Sequence, residues 1–567
     1  MARHRPRGVH PLGRLAVSFL IPALFAPALS AQAPPVKKRP ASPPSKPEEL
    51  CSLEGQVLHA ATGEPIRKAI VMLQKQEGGQ QPAAVTTADG GAFAIRDVPP
   101  GRYRLSAERN GFVRQDYSRS SAARSRPSVL ELSPGQRLTG LAIRLTPQAV
   151  ITGRITDEDG EPLADVMVQA LRHRYVQGRK QLASAGQSQT NDLGIYRIHG
   201  LAPGKYYVGA MRHQMSMRGA VASDPSGAEF GYVPTYYPAA TDPAGAAQLD
   251  ATAGNELRGV DLAMLRARMT RVRGRLTGIP NGPPGRAMLQ LLPRGGAASP
   301  GFTRNSSTVR DAAGNFEFRG VLPGSYILSG EFWDGRKRRA SRQAIDVGPT
   351  GLDGVTLAVS DAAPLPGRVR VDGATEAVPL KGVSVYLQAR EISFMGGASA
   401  RVKDDGALVL DNLLADVYTV GVNGLPAGYY LKSVRHGQND VLENGADLTA
   451  GVAGSLDVVV SPAGAQIEGA VINAKQEPAP GCQLVLIPDS RKGPRTQFIK
   501  TVTADQNGRY LIQGVAPGDY ALYAFEDIEN DAWLDPGFLK PFESQAEKLT
   551  LKENARESKP LKQIPAQ

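Results

Sequence analysis

A pair of turns, the second of them followed by a tyrosine, recurs five times along the 567 residues of this chain. The second turn reads Pro-Gly-x-Tyr in four copies, while the fourth copy has Ala-Asp in place of Pro-Gly. A pattern that recurs at roughly domain-length intervals indicates a tandem array. The repeated positions are Gly101 and Tyr103, Gly204 and Tyr206, Gly324 and Tyr326, Asp416 and Tyr418, and Gly518 and Tyr520.

The residue types of the repeated turn have a conformational reason. Proline presets φ near −65° at the first central position of a type II turn, and glycine accepts positive φ at the second. We therefore predict a type II turn in four copies, with a different turn at Asp416. The tyrosine two residues further on would face the core at the start of the next strand.

Apolar residues around the repeated turn alternate with a period of two. Phe93, Ile95 and Val98 precede the first turn, and Tyr103 and Leu105 follow it. This period, with turns every eight to twelve residues, indicates half-buried antiparallel sheets, and no segment shows a strong helical period. We predict an all-β chain, a tandem array of about five Greek-key β-sandwich domains of about seven strands, each an independent bead with its own core.

The first 50 residues differ in composition from the rest. Arginines precede an apolar run from Leu15 to Leu29 and the small residues Ser30 and Ala31, which is the order of a secretory signal peptide. We expect an exported protein, in the periplasm, on the outer surface or in the medium, with no transmembrane segment after signal cleavage. The predicted divisions are a signal peptide at 1–31, a proline-rich linker at 32–50, sandwiches at 51–148, 149–269, 270–362, 363–463 and 464–553, and a C-terminal tail at 554–567.

The charge distribution limits the classes of binding partner, and the cysteine content limits the possible disulfides. The net charge of +12 is spread thinly, apart from a basic cluster at 336–339. We expect no nucleic-acid partner, because no basic face carries a reading motif. Cys51 and Cys482 lie in the first and last sandwiches, so a disulfide would have to join the ends of the array. Their pairing stays open at this point.

The order of motifs resembles the carboxypeptidase regulatory-like domain over nearly all of residues 51–553. Each copy has a Gly-x-aliphatic start, a Gly-x-Pro turn, an apolar strand, Asp-x-x-Gly-x-aromatic and Pro-Gly-x-Tyr, with departures in the fourth. The resemblance implies a transthyretin-like sandwich of the carbohydrate-binding-like fold group, as in exported bacterial proteins built of tandem copies. The starting glycines are Gly55, Gly153, Gly274, Gly367 and Gly469.

Catalytic motifs are not found in the sequence. None of the seven histidines has the His-x-x-Glu or His-Glu-x-x-His spacing of a zinc peptidase, and no Gly-x-Ser-x-Gly elbow occurs. We predict that the protein is not an enzyme and uses no cofactor, with a cryptic hydrolase as an open alternative. Weak candidates for a cation site lie in one acidic segment, for which a solvated loop is the alternative: Asp527, Glu529, Asp531 and Asp535.

Aromatic residues outside the repeated pattern are the candidate ligand-binding residues. Their flat apolar faces can bind glycans or partner proteins from loops at the sandwich ends, and packing over a sheet edge is the alternative. We predict a non-catalytic interaction protein that binds glycan, cell-envelope material or another protein, or else a structural spacer with no specific ligand. The candidates are Tyr232, Tyr236, Tyr237, Trp333 and Trp533.

Overall fold

The computed structural model describes residues 50–566, apart from 77–82, 119–128, 177, 213–221, 224–228, 280–286, 295–304, 310, 335–336, 375–379, 391–396, 490–495 and 506. The predicted signal peptide at 1–31 and almost all of the linker at 32–50 lie outside the described residues. Among the helices that are described, none has the length and apolar character that a membrane span needs.

Sandwich 1 shows the plan that the other four follow. Its first sheet has the order β4-β1-β8, in which β1 is antiparallel to β4 and parallel to β8. Its second sheet has the order β3-β2-β5, with β6 and β7 both paired to β5. The strands are β1 (Cys51–His59), β2 (Ile70–Lys75), β3 (Ala83–Thr86), β4 (Ala92–Val98), β5 (Gly101–Glu108), β6 (Gln115–Asp116), β7 (Val129–Leu132) and β8 (Arg137–Leu145).

Sandwich 2 repeats this plan and adds an insertion between β13 and β17. Its sheets have the orders β12-β9-β18, with β19 also on β9, and β11-β10-β13-β16, with β17 also on β13. The elements are β9 (Ala149–Thr156), β10 (Val166–Val176), β11 (Arg179–Gln189), β12 (Ile195–Leu201), β13 (Gly204–Arg212), β14 (Ala222–Ser223), β15 (Glu229–Tyr232), β16 (Thr235–Tyr236), a 3-10 turn at Pro243–Gly245, β17 (Leu249–Ala251), β18 (Glu256–Leu257) and β19 (Leu262–Ala263).

Sandwich 3 shares a sheet with the insertion of sandwich 2. Strand β15 pairs antiparallel with the first residues of β20, so the sheet has the order β14-β15-β20-β23, with β26 also on β20. The other sheet has the order β22-β21-β24-β25-β27. The strands are β20 (Arg266–Thr277), β21 (Ala287–Pro293), β22 (Asn305–Thr308), β23 (Asn315–Val321), β24 (Gly324–Asp334), β25 (Lys337–Val347), β26 (Leu352–Ala358) and β27 (Ser360–Asp361).

Sandwich 4 has sheets of order β31-β28-β36-β33-β34 and β30-β29-β32-β35. As in the other sandwiches, its first strand is antiparallel to the strand before the repeated turn and parallel to the closing strand. The strands are β28 (Ala363–Val371), β29 (Ser384–Ala389), β30 (Gly397–Arg401), β31 (Ala407–Leu413), β32 (Val417–Asn423), β33 (Tyr430–His436), β34 (Asn439–Asp440), β35 (Ala446–Asp447) and β36 (Leu456–Ser461).

Sandwich 5 has sheets of order β40-β37-β43, with β44 also on β37, and β39-β38-β41-β42. A short helical insertion separates β41 from β42. The elements are β37 (Ala465–Ile472), β38 (Gln483–Pro488), a 3-10 turn at Thr496–Phe498, β39 (Lys500–Thr503), β40 (Arg509–Val515), β41 (Gly518–Phe525), a 3-10 turn at Ala532–Leu534, α1 (Pro536–Leu539), a 3-10 turn at Lys540–Gln545, β42 (Glu547–Leu551), β43 (Arg556–Ser558) and β44 (Leu561–Lys562).

Each sandwich has its own apolar core between its two sheets. The alternation predicted from the sequence fills it: Phe93, Ile95, Val98, Tyr103 and Leu105 are all buried in sandwich 1. The all-β class and the tandem array of about five β-sandwiches are confirmed.

The expected C-terminal tail at 554–567 is in fact part of sandwich 5. Strands β43 and β44 lie in it and pair in parallel with β37, as the closing strand does in the other sandwiches. The sequence signal was weak because the buried positions here are only Leu561 and Ile564, too few for a period-two run.

The junctions between sandwiches are short and hydrogen-bonded. Three residues separate β8 from β9, and the backbone N–H groups of Val113 and Gln148 bond to the carbonyls of Thr146 and Gly111 at 2.9 and 3.0 Å. One residue separates β27 from β28, and three separate β36 from β37. All five sandwiches lie within one compact unit. Each sandwich keeps its own core, and hydrogen-bonded junctions join it to its neighbours.

The two cysteines form no disulfide with each other and are both buried, one in sandwich 1 and one in sandwich 5. The Cys51 thiol donates to the Ser133 carbonyl at 3.0 Å. Burial raises the pKa of the Cys482 thiol to about 12. Cys51 and Cys482 are therefore not paired with each other, and each thiol lies in the core of its own sandwich.

Candidate functional site

The repeated glycine of the first strand occupies a position with no room for a side chain. A Cβ atom on Gly274 would overlap the carbonyl oxygen of Val355 on the closing strand and would lie 2.6 Å from the ring of Phe316. In sandwich 4, where the aromatic residue is replaced by Leu408, the space at Gly367 is wider, with 2.9 Å to the nearest carbonyl oxygen. The same overlap occurs at Gly55 with a carbonyl of the closing strand β8, and at Gly153 and Gly469 with the carbonyls of Val260 and Lys559, which lie between the two short closing strands of their sandwiches.

The five repeated tyrosines are core residues whose hydroxyl groups fasten the turn that precedes them. Each hydroxyl donates to the carbonyl oxygen four residues earlier, which explains tyrosine rather than phenylalanine at this position. The bonds run from Tyr103 to Pro99 (2.8 Å), from Tyr206 to Ala202 (2.5 Å), from Tyr326 to Leu322 (2.8 Å), from Tyr418 to Leu414 (3.0 Å) and from Tyr520 to Ala516 (2.9 Å).

The turn itself differs from the predicted type. The glycine φ values are 147° at Gly101, 150° at Gly204, 157° at Gly324 and 149° at Gly518, far from the roughly +80° of a type II turn. The type II assignment is wrong, although the preference for glycine stands. In the fourth copy the Asp416 carboxylate also accepts a bond from the Val417 N–H at 2.8 Å, in addition to the bond that the Tyr418 hydroxyl makes.

The buried tyrosines predict a loss of stability in alkaline solution. Burial raises the pKa of Tyr103, Tyr326 and Tyr418 above the ordinary 10.0. Because the unfolded chain ionises first, the free energy of unfolding should be constant below about pH 9 and fall as the pH rises above about 10. Denaturant titrations at several pH values measure this fall. A midpoint that stays constant from about pH 8 to 11 would contradict it, and Tyr326→Phe should reduce the fall in sandwich 3.

Two of the five candidate ligand-binding aromatics are buried. Tyr236 is 3% exposed and packs with Leu171 and Met211, and Trp533 is 9% exposed within an aromatic cluster of sandwich 5. Neither offers a face to a ligand in this structure. Their loops have folded back on the sheets, which is the alternative that the sequence left open.

Tyr232 and Tyr237 are half-buried against the core of sandwich 2. Two guanidinium groups lie over the ring of Tyr232, that of Arg212 at 5.7 Å and that of Arg266 at 5.2 Å from the ring centroid. Arg266 also pairs with Glu158 at 3.0 Å. Tyr232 thus lies where the inserted strand β15 pairs with β20, at the junction between sandwiches 2 and 3, while Tyr237 packs on the core of sandwich 2.

Trp333 is the candidate aromatic that the structure leaves exposed, with 45% of its surface accessible. Its indole N–H donates to the Glu331 carboxylate at 2.7 Å, and the Arg338 guanidinium donates to the same oxygen at 2.8 Å. Arg339 pairs with Asp361 at 2.6 Å. Part of the basic cluster predicted at 336–339 is thus neutralised, and the side chains at 336 and 337 lie outside the described residues.

The acidic segment of sandwich 5 forms helical turns. Asp531 and Asp535 precede the 3-10 turn and α1, and the Asp535 carboxylate accepts the Gly537 N–H at 2.8 Å. Among the described residues, the structure places no three His, Cys, Asp or Glu side chains where they could together hold a metal ion. The remaining two weak cation candidates, Asp527 and Glu529, lie in the loop just before these turns.

A contact between sandwiches 2 and 5 was missed in the sequence. Strands β10 and β11 each have 11 residues, whereas β2 and β3 of sandwich 1 have 6 and 4, so this hairpin extends beyond its sheet. Its tip reaches the helical insertion that sandwich 5 carries between β41 and β42. We call the contact of Tyr175 and Gly178 with residues 532–545 the clasp.

The clasp is aromatic. The rings of Tyr175 and Phe538 meet edge to face with centroids 5.7 Å apart, and Phe542 packs against Phe525 at 5.2 Å. Gly178, at φ 75°, lies so close to Leu534 that an added Cβ would be 2.7 Å from the leucine Cβ. Burial, with smaller effects of Asp535 and Glu529, raises the pKa of the Tyr175 hydroxyl. The signals that could have indicated the clasp were the long hairpin and the extra segment after β41.

Comparisons with known proteins support the fold family of the first sandwich. Residues 52–146 match the model of the carboxypeptidase regulatory-like domain, which confirms the resemblance predicted from the motifs. The chain is thus a multi-domain β-sandwich protein whose first sandwich is of this type. A search of curated proteins gives no match.

Several solved structures are distantly similar. The Bacillus anthracis TIE protein is 12% identical, with 55% of this chain and 51% of that chain covered and a TM-score of 0.16. This chain therefore spans about half the length of that protein. The minor pilin of Streptococcus agalactiae is 15% identical (38% and 94% covered, TM-score 0.21), and the major pilin subunit of Bacillus cereus is 9% identical (90% and 99% covered, TM-score 0.14). Such scores do not establish a shared arrangement.

Proposed function

We propose that this protein is a non-catalytic, exported interaction protein that acts as a stiff scaffold. Its sandwiches hold binding surfaces at fixed positions relative to one another, and its partners are glycan, cell-envelope material or another protein. The observation that carries the proposal is the clasp, since two departures from the repeated plan that lie far apart in sequence contact each other.

The junctions support stiffness independently of the clasp. The Arg342 guanidinium of sandwich 3 pairs with Asp416 of sandwich 4 at 2.9 Å, and both side chains are mostly buried. The Tyr430 hydroxyl of sandwich 4 donates to Glu553 of sandwich 5 at 2.7 Å. Because short bonded junctions leave few free backbone dihedrals, each sandwich restrains the next.

A binding role, rather than that of a spacer with no ligand, is supported by the exposed loops. Trp333 stands at the end of the β24–β25 hairpin with its indole face accessible and its N–H oriented by Glu331. Oriented aromatics on a rigid frame favour recognition because little side-chain entropy is lost on binding. The spacer alternative differs by predicting no retention on any envelope material.

The scaffold proposal predicts that the clasp controls compactness. In Tyr175→Ala/Phe538→Ala the edge-to-face contact is lost, and we expect the radius of gyration, measured by small-angle X-ray scattering, to rise by roughly 10% or more as sandwiches 2 and 5 separate. The matched control is Tyr386→Ala, which removes a half-buried tyrosine from sandwich 4 and should leave the radius unchanged.

Circular dichroism distinguishes clasp opening from unfolding. The proposal requires that the double variant keeps the far-ultraviolet spectrum of the parent while its radius increases. If the spectrum and the radius are both unchanged, the clasp does not restrain the array. A radius of the parent protein already as large as that of the double variant would equally contradict the stiff scaffold.

A further inference from the structure

A basic cleft lies where sandwiches 1 and 2 meet, away from the clasp and from Trp333. Its volume is about 700 Å³. Four Lys or Arg side chains and a single carboxylate line it, together with His199, polar groups and the apolar side chains of Ile70 and Phe112. The charged lining residues are Lys68, Glu108, Arg109, Arg114 and Arg197.

The cations of the cleft are available to a ligand. Within the described part of the chain, Lys68, Arg109 and Arg114 form no ion pair. Arg197 has a distant partner, Glu256, at 3.9 Å, with half of the arginine side chain still exposed. An excess of exposed positive charge on concave walls attracts anions and concentrates them there.

A second depression provides a contrast, because the charges of two of its arginines are neutralised by a carboxylate. It has a volume of about 600 Å³ and lies on the first sheet of sandwich 3. There Glu317 accepts from Arg273 at 3.1 Å and from Arg319 at 3.0 Å. Because these guanidinium groups already have a carboxylate partner, this depression has less to offer an anion than the cleft between sandwiches 1 and 2.

The walls of the cleft are held in place by the junction. Phe112 bridges to Pro147, and the bonds from Val113 and Gln148 described above tie the loop after β5 to the chain that leads into sandwich 2. The Arg109 guanidinium lies over the Phe112 ring at 5.6 Å from its centroid. A half-buried aromatic ring beside a cation thus forms part of the lining of the cleft.

We propose that this cleft binds an anionic polysaccharide. Acidic groups of the polymer would contact Lys68, Arg109, Arg114 and Arg197, since guanidinium groups match carboxylate and sulfate oxygens. A sugar ring would pack its C–H face on Phe112. The combination of an aromatic ring with several cations in one cleft fits a chain of sugar rings that carries charges at intervals.

The test measures binding of the full chain to immobilised polygalacturonate, which carries carboxylates, and dextran sulfate, with neutral dextran and a DNA duplex as comparisons. We expect retention on one or both anionic polysaccharides, weakened by added salt. Arg109→Glu/Arg114→Glu should weaken the affinity by about tenfold or more. The matched control Arg102→Glu/Arg104→Glu makes the same charge change on exposed positions of β5 outside the cleft and should stay within about twofold.

The outcomes separate the alternatives. A preference for polygalacturonate assigns carboxylates and a preference for dextran sulfate assigns sulfates, and either one supports the proposal. Equal retention on neutral dextran, tighter binding of the DNA duplex, or an equal loss in the two double variants would overturn it. None of these results depends on the compactness of the chain. The binding proposal for the cleft can therefore be wrong while the stiff scaffold is right, and the stiff scaffold can be wrong while the binding proposal is right.

Discussion

Replacing Gly274 with alanine is expected to destabilise sandwich 3 by about 3 kcal/mol, among the largest effects of any single methyl group in this chain. The new Cβ would overlap the Val355 carbonyl oxygen on the parallel closing strand and crowd Phe316. Neither neighbour can move easily, because one is backbone in the sheet and the other is buried in the core. Hydrogen exchange resolved by peptide should show loss of protection throughout sandwich 3.

The matched control for this prediction is Gly348→Ala in the same sandwich. An added Cβ there meets nothing within 4 Å, and the backbone is outside the positive-φ region. We expect a change smaller than about 0.5 kcal/mol. Comparable protection in the two alanine variants would show that the close approach of β20 and β26 does not determine the stability of sandwich 3.

The two tryptophans should behave in opposite ways. Trp533→Ala is expected to destabilise sandwich 5 by roughly 4 kcal/mol, because it removes a buried ring from the cluster that holds the insertion. Trp333→Ala should change stability by less than about 0.5 kcal/mol, since its side chain is exposed. Denaturant unfolding followed by circular dichroism, with hydrogen exchange to locate the change, measures both.

The same two variants also distinguish a structural role of a tryptophan from a role in ligand binding. If Trp333 belongs to a binding surface, its alanine variant loses retention on envelope extract while its stability is unchanged. Trp533→Ala should lose stability, and any loss of retention should follow from that loss of stability. A stable Trp533→Ala protein with lost retention would restore the original hypothesis that this side chain is a ligand platform, and would contradict its place in the core.

The sequence predicted the repeated parts of the fold because their causes are local. Gly101 and Tyr103 mark a turn through backbone conformation and a hydroxyl bond that spans four residues. Alternation then assigns the faces of the strands. The closing strand of sandwich 5 escaped prediction because parallel pairing with β37 needs few buried side chains of its own.

The candidate sites could be predicted far less well. Trp533 stands in an acidic, loop-like segment, and its burial depends on an insertion that folds over Phe525. Tyr175 meets Phe538 across a gap of several hundred residues, and no period or spacing in the sequence encodes such a contact. The basic cleft likewise is lined by residues of two sandwiches, so its cations look like ordinary surface charges in the sequence.

The distance between sandwiches 2 and 5 tests the stiff scaffold most directly. Spin labels on Ser184→Cys and Ser544→Cys, both exposed positions, can be introduced in a background with Cys51→Ala and Cys482→Ala. Pulsed electron resonance should then give one narrow distance distribution that broadens when Tyr175→Ala/Phe538→Ala is added. A broad distribution in the parent protein would mean that the sandwiches move freely, and the account of a stiff scaffold would be wrong.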